Sequence, residues 1–232
     1  MSYSFVGGHD INFSPIGAGV GVDTATPAAR RTTYSTCSLS CGNGATLDGW
    51  QTKPWFTAAL SNLWVSAQRY YATGGNSSAS CQVVAFKSGA VRRLVLRPSS
   101  ATSAAYTLQL AKVDAAGTFT TLATATSTSS TALTKLDIHV NYSASGSVDV
   151  YEAGTLILTY SGDVTTDSAT SLDGVVFGGH STNAVKTHWS EIIVSSADTR
   201  DLTLVTLPIA ANGNTFNFTS GAYSDINETV LS

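Results

Sequence analysis

The chain has 232 residues, a formal net charge of −3, and only 12% charged residues against 43% hydrophobic ones. So few charges exclude a highly charged disordered chain and argue against a helical bundle, whose solvent faces need Glu and Lys. The basic residues are scattered apart from Arg30-Arg31 and Arg92-Arg93, so no basic patch for nucleic acid is present. No apolar run approaches the ~20 residues of a membrane helix.

Residues 1–50 are rich in Gly, Thr and Ala, weakly periodic, and broken by Pro15 and Pro27. They read as an irregular N-terminal arm with at most one or two short edge strands, packed along the domain or gripping a neighbour. The opening MSYSFVGGHDINFSPIG has neither a basic start nor a long apolar core, so no conventional secretion signal is expected. Cys37, Cys41 and Cys81 make an odd count. The spacing Cys37-Ser-Leu-Ser-Cys41 suits a small disulfide loop or two metal ligands, but no second Cys/His pair stands at zinc spacing. Free thiols in a reducing compartment are the simpler reading.

Periodicity leaves residues 51–71 open between helix and strand, because Phe56, Leu60, Leu63, Trp64, Ala67 and Tyr71 fit helical spacing while Leu63, Val65 and Ala67 alternate. The scarcity of helix-favouring charges points to strand from about Asn62. From Ser80 the pattern becomes regular, with strand-like runs CQVVAFK, AVRRLVLR, AAYTLQLAKVD and FTTLATAT. Turn signals stand at Ser88-Gly89, Pro98-Ser99 and Ala116-Gly117, and ATATSTSSTA over 123–132 reads as a low-complexity loop. Leu136, Ile138, Val140 and Tyr142 then alternate with Asp137, His139 and Asn141, which must face the other way. SVDVY and TLILTY flank Glu152-Ala153-Gly154, a hairpin signal. LDGVVFG and HWSEIIV follow. Short strands divided by turns predict an all-β antiparallel sandwich over residues 51–200. The remaining 201–232 are too few to bury a core alone and read as a tail packing on the sandwich or a neighbouring subunit.

The series KLDIHVNY, SGSVDVYEAGTLILTYSG, LDGVVFGG and HWSEIIVSSADTR resembles the second half of a concanavalin A-like (laminin G or pentraxin type) jelly roll. The features that carry it are the V-Y-x-x-G turn at Val150–Gly154 and the closing strand Ser190-Glu191-Ile192-Ile193-Val194. That likeness covers roughly 56–200. The ending from 187 to 232 also resembles structural proteins of tailed bacteriophages, which run from E-x-I-V and D-T-R through T-L-P to Y-x-D-x-[ND]-E-T. This resemblance implies a non-enzymatic virion protein made in the host cytoplasm and displayed on the capsid or tail as decoration, fibre or adhesion module. It further implies other virion proteins as partners and a homo-oligomer, a trimer by analogy. The alternative function is a lectin-like carbohydrate-binding module for a host surface glycan.

A glycan hydrolase is disfavoured. Acid–base work on a glycosidic bond needs two carboxyls on one face, and Glu152, Glu191 and Glu228 form no E-x-D or E-x-E pair. No G-x-S-x-G elbow occurs either. Relatives of the fold bind calcium through loop oxygens, and Asp163, Asp167 and Asp173 fall in or beside SGDVTTDSATSLDG. The competing reading of those aspartates is turn chemistry. Trp50, Trp55, Trp64 and Trp189 are weighed as saccharide platforms, since an aromatic ring offers a stacking face and a polar edge, and Trp50, Trp55 and Tyr70 are the candidate saccharide contacts. Trp189, beside the Glu191 strand, reads as core.

Overall fold

The computed structural model describes residues 3–7, 13–16, 20–23, 38–41, 49–52, 59–71, 82–102, 105–127, 133–178, 187–202, 204–206 and 229–231. Short strands come first: β1 (Tyr3–Gly7), β2 (Phe13–Ile16), β3 (Val20–Asp23), β4 (Ser38–Cys41) and β5 (Gly49–Thr52). Longer ones follow: β6 (Asn62–Tyr71), β7 (Val84–Ser88), β8 (Val91–Thr102), β9 (Ala105–Val113) and β10 (Phe119–Ser127). The next group is β11 (Thr134–Asn141), β12 (Gly146–Glu152), β13 (Thr155–Gly162), β14 (Gly174–Gly178) and β15 (Thr187–Ser195). A short pair, β16 (Leu204–Thr206) and β17 (Thr229–Leu231), ends the chain. The described residues hold no helix.

Period-2 alternation gives strands such as β11 and β12 one apolar face, and two such faces must be buried against each other, while β15 is buried along its whole length. One sheet has eight strands in the order β13-β12-β11-β6-β15-β4-β3, with β1 paired to β15. The other has seven, in the order β10-β9-β8-β7-β14-β5-β2. Leu63, Val65, Leu136, Ile138, Val148 and Val150 of the first share one buried cluster with Val84, Phe86, Leu94, Leu96, Leu108 and Leu110 of the second. Trp189 belongs to this core, fully buried, its indole N–H donating to the Gly178 carbonyl at 2.9 Å. The fold is an all-β jelly-roll sandwich.

Three local expectations change. Residues 1–50 were expected to be irregular, yet their strands extend both sheets: β1, β3 and β4 join the eight-stranded one, β2 and β5 the seven-stranded one. Four- and five-residue strands interrupted by Gly and Pro are too short to show alternation, and partners distant in sequence define them. The Pro98-Ser99 turn is instead a register shift within β8, which continues to Thr102. Proline lacks the ladder donor, so an irregular position accommodates it without ending the strand. The low-complexity run 123–132 begins as strand, because β10 extends to Ser127 and its Ala/Thr alternation pairs with β9; residues 128–132 lie outside the described ones.

Glu152 continues the core-facing phase of Val148 and Val150 but ends in a carboxylate. It is buried and paired with the equally buried Arg69 of β6. Ser127 of the opposite sheet donates to both its oxygens, at 2.9 and 3.1 Å. One carboxylate thus ties the two sheets together. Just beyond it, Ala153 (φ 49°) and Gly154 (φ 78°) form a two-residue loop with both φ values positive, the geometry of a type I′ turn.

Two stability predictions follow from these positions. Glu152→Ala strands the Arg69 charge in the core and is expected to lower unfolding free energy by about 3–5 kcal/mol, read from urea transitions. Ala153→Asn puts a residue tolerant of left-handed backbone where alanine is strained, and should add about 0.5–1 kcal/mol in the same assay.

Candidate functional site

The strands that turn Leu63, Ile138 and Val150 inward turn Trp64, His139 and Tyr151 outward. His139 lies opposite Trp64 on one side and Asp149 on the other. In the next row Asp137 lies between Ser66 and Tyr151. The rings gather into a cluster: Trp64 stacks on His139 at 4.4 Å with 12° between planes, and on Tyr151 at 6.2 Å and 28°.

Polar groups surround the rings. His139 Nε2 is 2.8 Å from Asn62 Oδ1, and its Nδ1 is 3.8 Å from Asp149 Oδ2. Thr159 donates to the other Asp149 oxygen at 2.6 Å. Burial pushes the His139 imidazole below its ordinary value against the opposing pull of Asp149.

The chain leaving β15 folds back over this face. Thr199 is fully buried, its hydroxyl 2.6 Å from that of Ser66, which in turn donates to Asp137. Lys135 Nζ donates to the carbonyls of Thr199, Arg200 and Leu202 and lies 3.4 Å from Asp137. The turn is closed by the Leu202 N–H on the Thr199 carbonyl at 3.0 Å. From it the Arg200 guanidinium projects over both rings, 4.9 Å from the Trp64 centroid and 4.7 Å from that of Tyr151. Asp198 holds it through contacts of 2.7 Å to Nη2 and 3.0 Å to Nε. Those hydrogen bonds keep the Asp198 carboxyl below its ordinary range.

Asp137 is outward in phase, as its alternation requires, but lies buried beneath the turn. Burial raises its carboxyl above the ordinary range, opposed by the Ser66 hydrogen bond and by Lys135.

The calcium candidates are not brought together. Asp163 pairs with Lys112 at 2.8 Å and accepts the Thr165 N–H at 2.9 Å and hydroxyl at 2.7 Å. Asp167 takes Arg93 and the Ala115 N–H, and Asp173 takes the Gly89 N–H at 2.8 Å. Each caps a different turn or cation, which is the turn chemistry such residues favour. Among the described residues no three His, Cys, Asp or Glu side chains converge on a metal position.

Of the aromatic candidates, Tyr70 shares the outer face of β6 but sits six residues from Trp64, roughly 20 Å along a strand, beside His188 at 5.8 Å. The Trp50 side chain and all of Trp55 lie outside the described residues, as do the three cysteine side chains. The rings that cluster are Trp64 and Tyr151. Their shared outward phase was the available signal; for Arg200 the sequence holds none, because the fold-back is tertiary.

No protein-family model matches the chain, and no curated protein matches its sequence. Solved structures do match. The fold is similar to "Cellulose induced protein, Cip1", with TM-score 0.55 and 16% identity over 82% of this chain and 93% of that one. It is also similar to the globular domain of T. cruzi calreticulin, with TM-score 0.53 and 10% identity over 85% and 89%. At such identities the likeness is one of fold, and it agrees with an all-β jelly-roll sandwich.

A raised Asp137 value has a definite sign. The folded chain binds this proton more tightly than the unfolded one, so stability falls as pH rises from the ordinary carboxylate value through the folded value. Asp137→Asn has no such proton to lose. Urea midpoints across this window should show the variant gaining on the wild type as pH rises.

Proposed function

We propose that the chain is a non-enzymatic attachment module displayed on a tailed-bacteriophage virion, and that it holds a saccharide on the outer face of the eight-stranded sheet. The observation that carries the binding role is the Trp64–Tyr151 ring pair beside Asn62, Asp149 and Asp198. Sugar recognition needs an apolar ring surface for the C–H face and fixed acceptors for hydroxyl protons; the cluster has the acceptors, and its ring surface, with Trp64 only 9% exposed, lies under the Arg200 guanidinium.

The virion setting is supported by the ending from 187 to 232. Within it, Thr206 of β16 pairs with Thr229 of β17. The non-enzymatic reading is supported by how carboxylates are used. Glu152 is locked to Arg69, Asp137 is covered, and Asp149 accepts from Thr159. Asp149 and Asp198, which border the rings, are engaged by Thr159 and by Arg200, so neither stands free as the acid or base that glycosidic chemistry requires. As a displayed module it would associate with other virion proteins and with copies of itself.

Cryo-EM of purified particles together with a glycan array tests this. The sandwich is expected on the particle exterior with the Trp64 face open, and Tyr151→Ala should weaken array binding about tenfold, some 1.4 kcal/mol. Absence of the chain from particles would sink the virion role. A particle position that buries the Trp64 face between subunits would replace adhesion by decoration.

A further inference from the structure

We infer that Arg200 is a resident occupant of this face, and that the ligand displacing it is a neutral rather than an acidic saccharide; the inference rests on the saccharide reading above. The guanidinium is planar and covers both rings at once, so it sits where the C–H face of a sugar ring would stack. Its backbone is fixed, because Lys135 holds the Arg200 carbonyl and those of Thr199 and Leu202. The side chain itself is 40% exposed and its partner Asp198 is 45% exposed. The ion pair is exposed and therefore weak, and a side chain this exposed changes rotamer rapidly. Arg200 can therefore leave the rings by rotation alone, with the turn unmoved.

What remains after it swings away decides the ligand class. Asp198 gives up its bidentate partner, and Asp149 and the Asn62 carbonyl oxygen already border the rings. These are acceptors, two of them anionic. Lys135 is committed to Asp137 and three carbonyls, and the two ring nitrogens of His139 already face Asn62 and Asp149. A sugar presenting only hydroxyl donors is matched. One carrying a carboxylate meets Asp149 and Asp198 at the rings, while the cation that could pair with it, Arg200, has swung clear of them, and like-charge contact disfavours it.

Calorimetric titration of the full chain tests both halves. Maltoheptaose and galacto-oligosaccharides serve as neutral probes, oligogalacturonate and sialyllactose as acidic ones. Arg200→Ala is expected to bind neutral probes about fivefold tighter than wild type, since it removes a weak internal competitor. Raising salt should tighten the wild type toward the variant, because it screens the Arg200–Asp198 pair, while leaving Arg200→Ala unchanged. Weaker binding by Arg200→Ala would make the arginine a ligand contact and overturn its role as occupant. Preference for the acidic probes would overturn the ligand class. In both cases loss of binding in Tyr151→Ala leaves the saccharide site standing. If folded wild type and Arg200→Ala both ignore every probe, the saccharide reading fails and the inference with it.

Discussion

Because side chains alternate along a strand, pairing Ile138 with both Val65 and Val150 obliges His139 to lie between Trp64 and Asp149. The register of β11 between β6 and β12 therefore sets the core and the outer face together. A slip of one residue would send Leu136, Ile138 and Val140 to the outside and bring Asp137 and His139 into the core. Every other arrangement of the site inherits this constraint. The ring cluster is the obverse of the hydrophobic cluster, and neither can be changed in register without losing the other.

The second requirement is satisfaction of what the fold-back buries. Covering Asp137 with the 196–202 turn removes a carboxylate from water, which is costly unless hydrogen bonds replace the lost solvation. Ser66 donates directly, and Lys135 supplies a nearby cation while its remaining donors hold the turn's carbonyls. One lysine thus serves both the buried acid and the segment that buries it. The turn reaches this place because β15 lies beside β6, with Ser195 opposite Trp64. A few residues beyond that point suffice to set Arg200 above the rings. A register shift between Ser190 and Ile193, with Glu191 at φ 52°, falls within the same strand.

How much of this was legible from sequence divides along physical lines. Local alternation from Ser80 to Gly178 revealed most of the long strands, the sandwich and the outward phase of Asp137 and His139, whereas β6 was read from the scarcity of helix-favouring charges and Trp189 from its place beside the Glu191 strand. Phase does not report burial, however, and Asp137 is outward yet covered. Cross-strand neighbours such as Trp64 and His139 depend on pairing between segments over seventy residues apart, which periodicity within one segment cannot specify. Choosing Trp50, Trp55 and Tyr70 weighed ring type and loop-like surroundings and had no access to register. The loop aspartates show the converse: three carboxylates close in sequence diverge, because each finds its own nearby cation or turn N–H first.

The two arginine–carboxylate pairs show why scaffold and site can coexist in one sheet. Arg69–Glu152 lies between the sheets, shielded from water, and Ser127 of the opposite sheet extends it. Neither partner can leave without stranding a charge in the core, so the pair holds the sandwich and cannot respond to a ligand. Arg200–Asp198 has similar chemistry at the surface, where solvent takes up either charge on separation. The same salt bridge is rigid in one location and exchangeable in the other. Burial alone makes the difference: it fixes the pair between the sheets and leaves the one on the outer face of β6, β11 and β12 open to exchange with solvent.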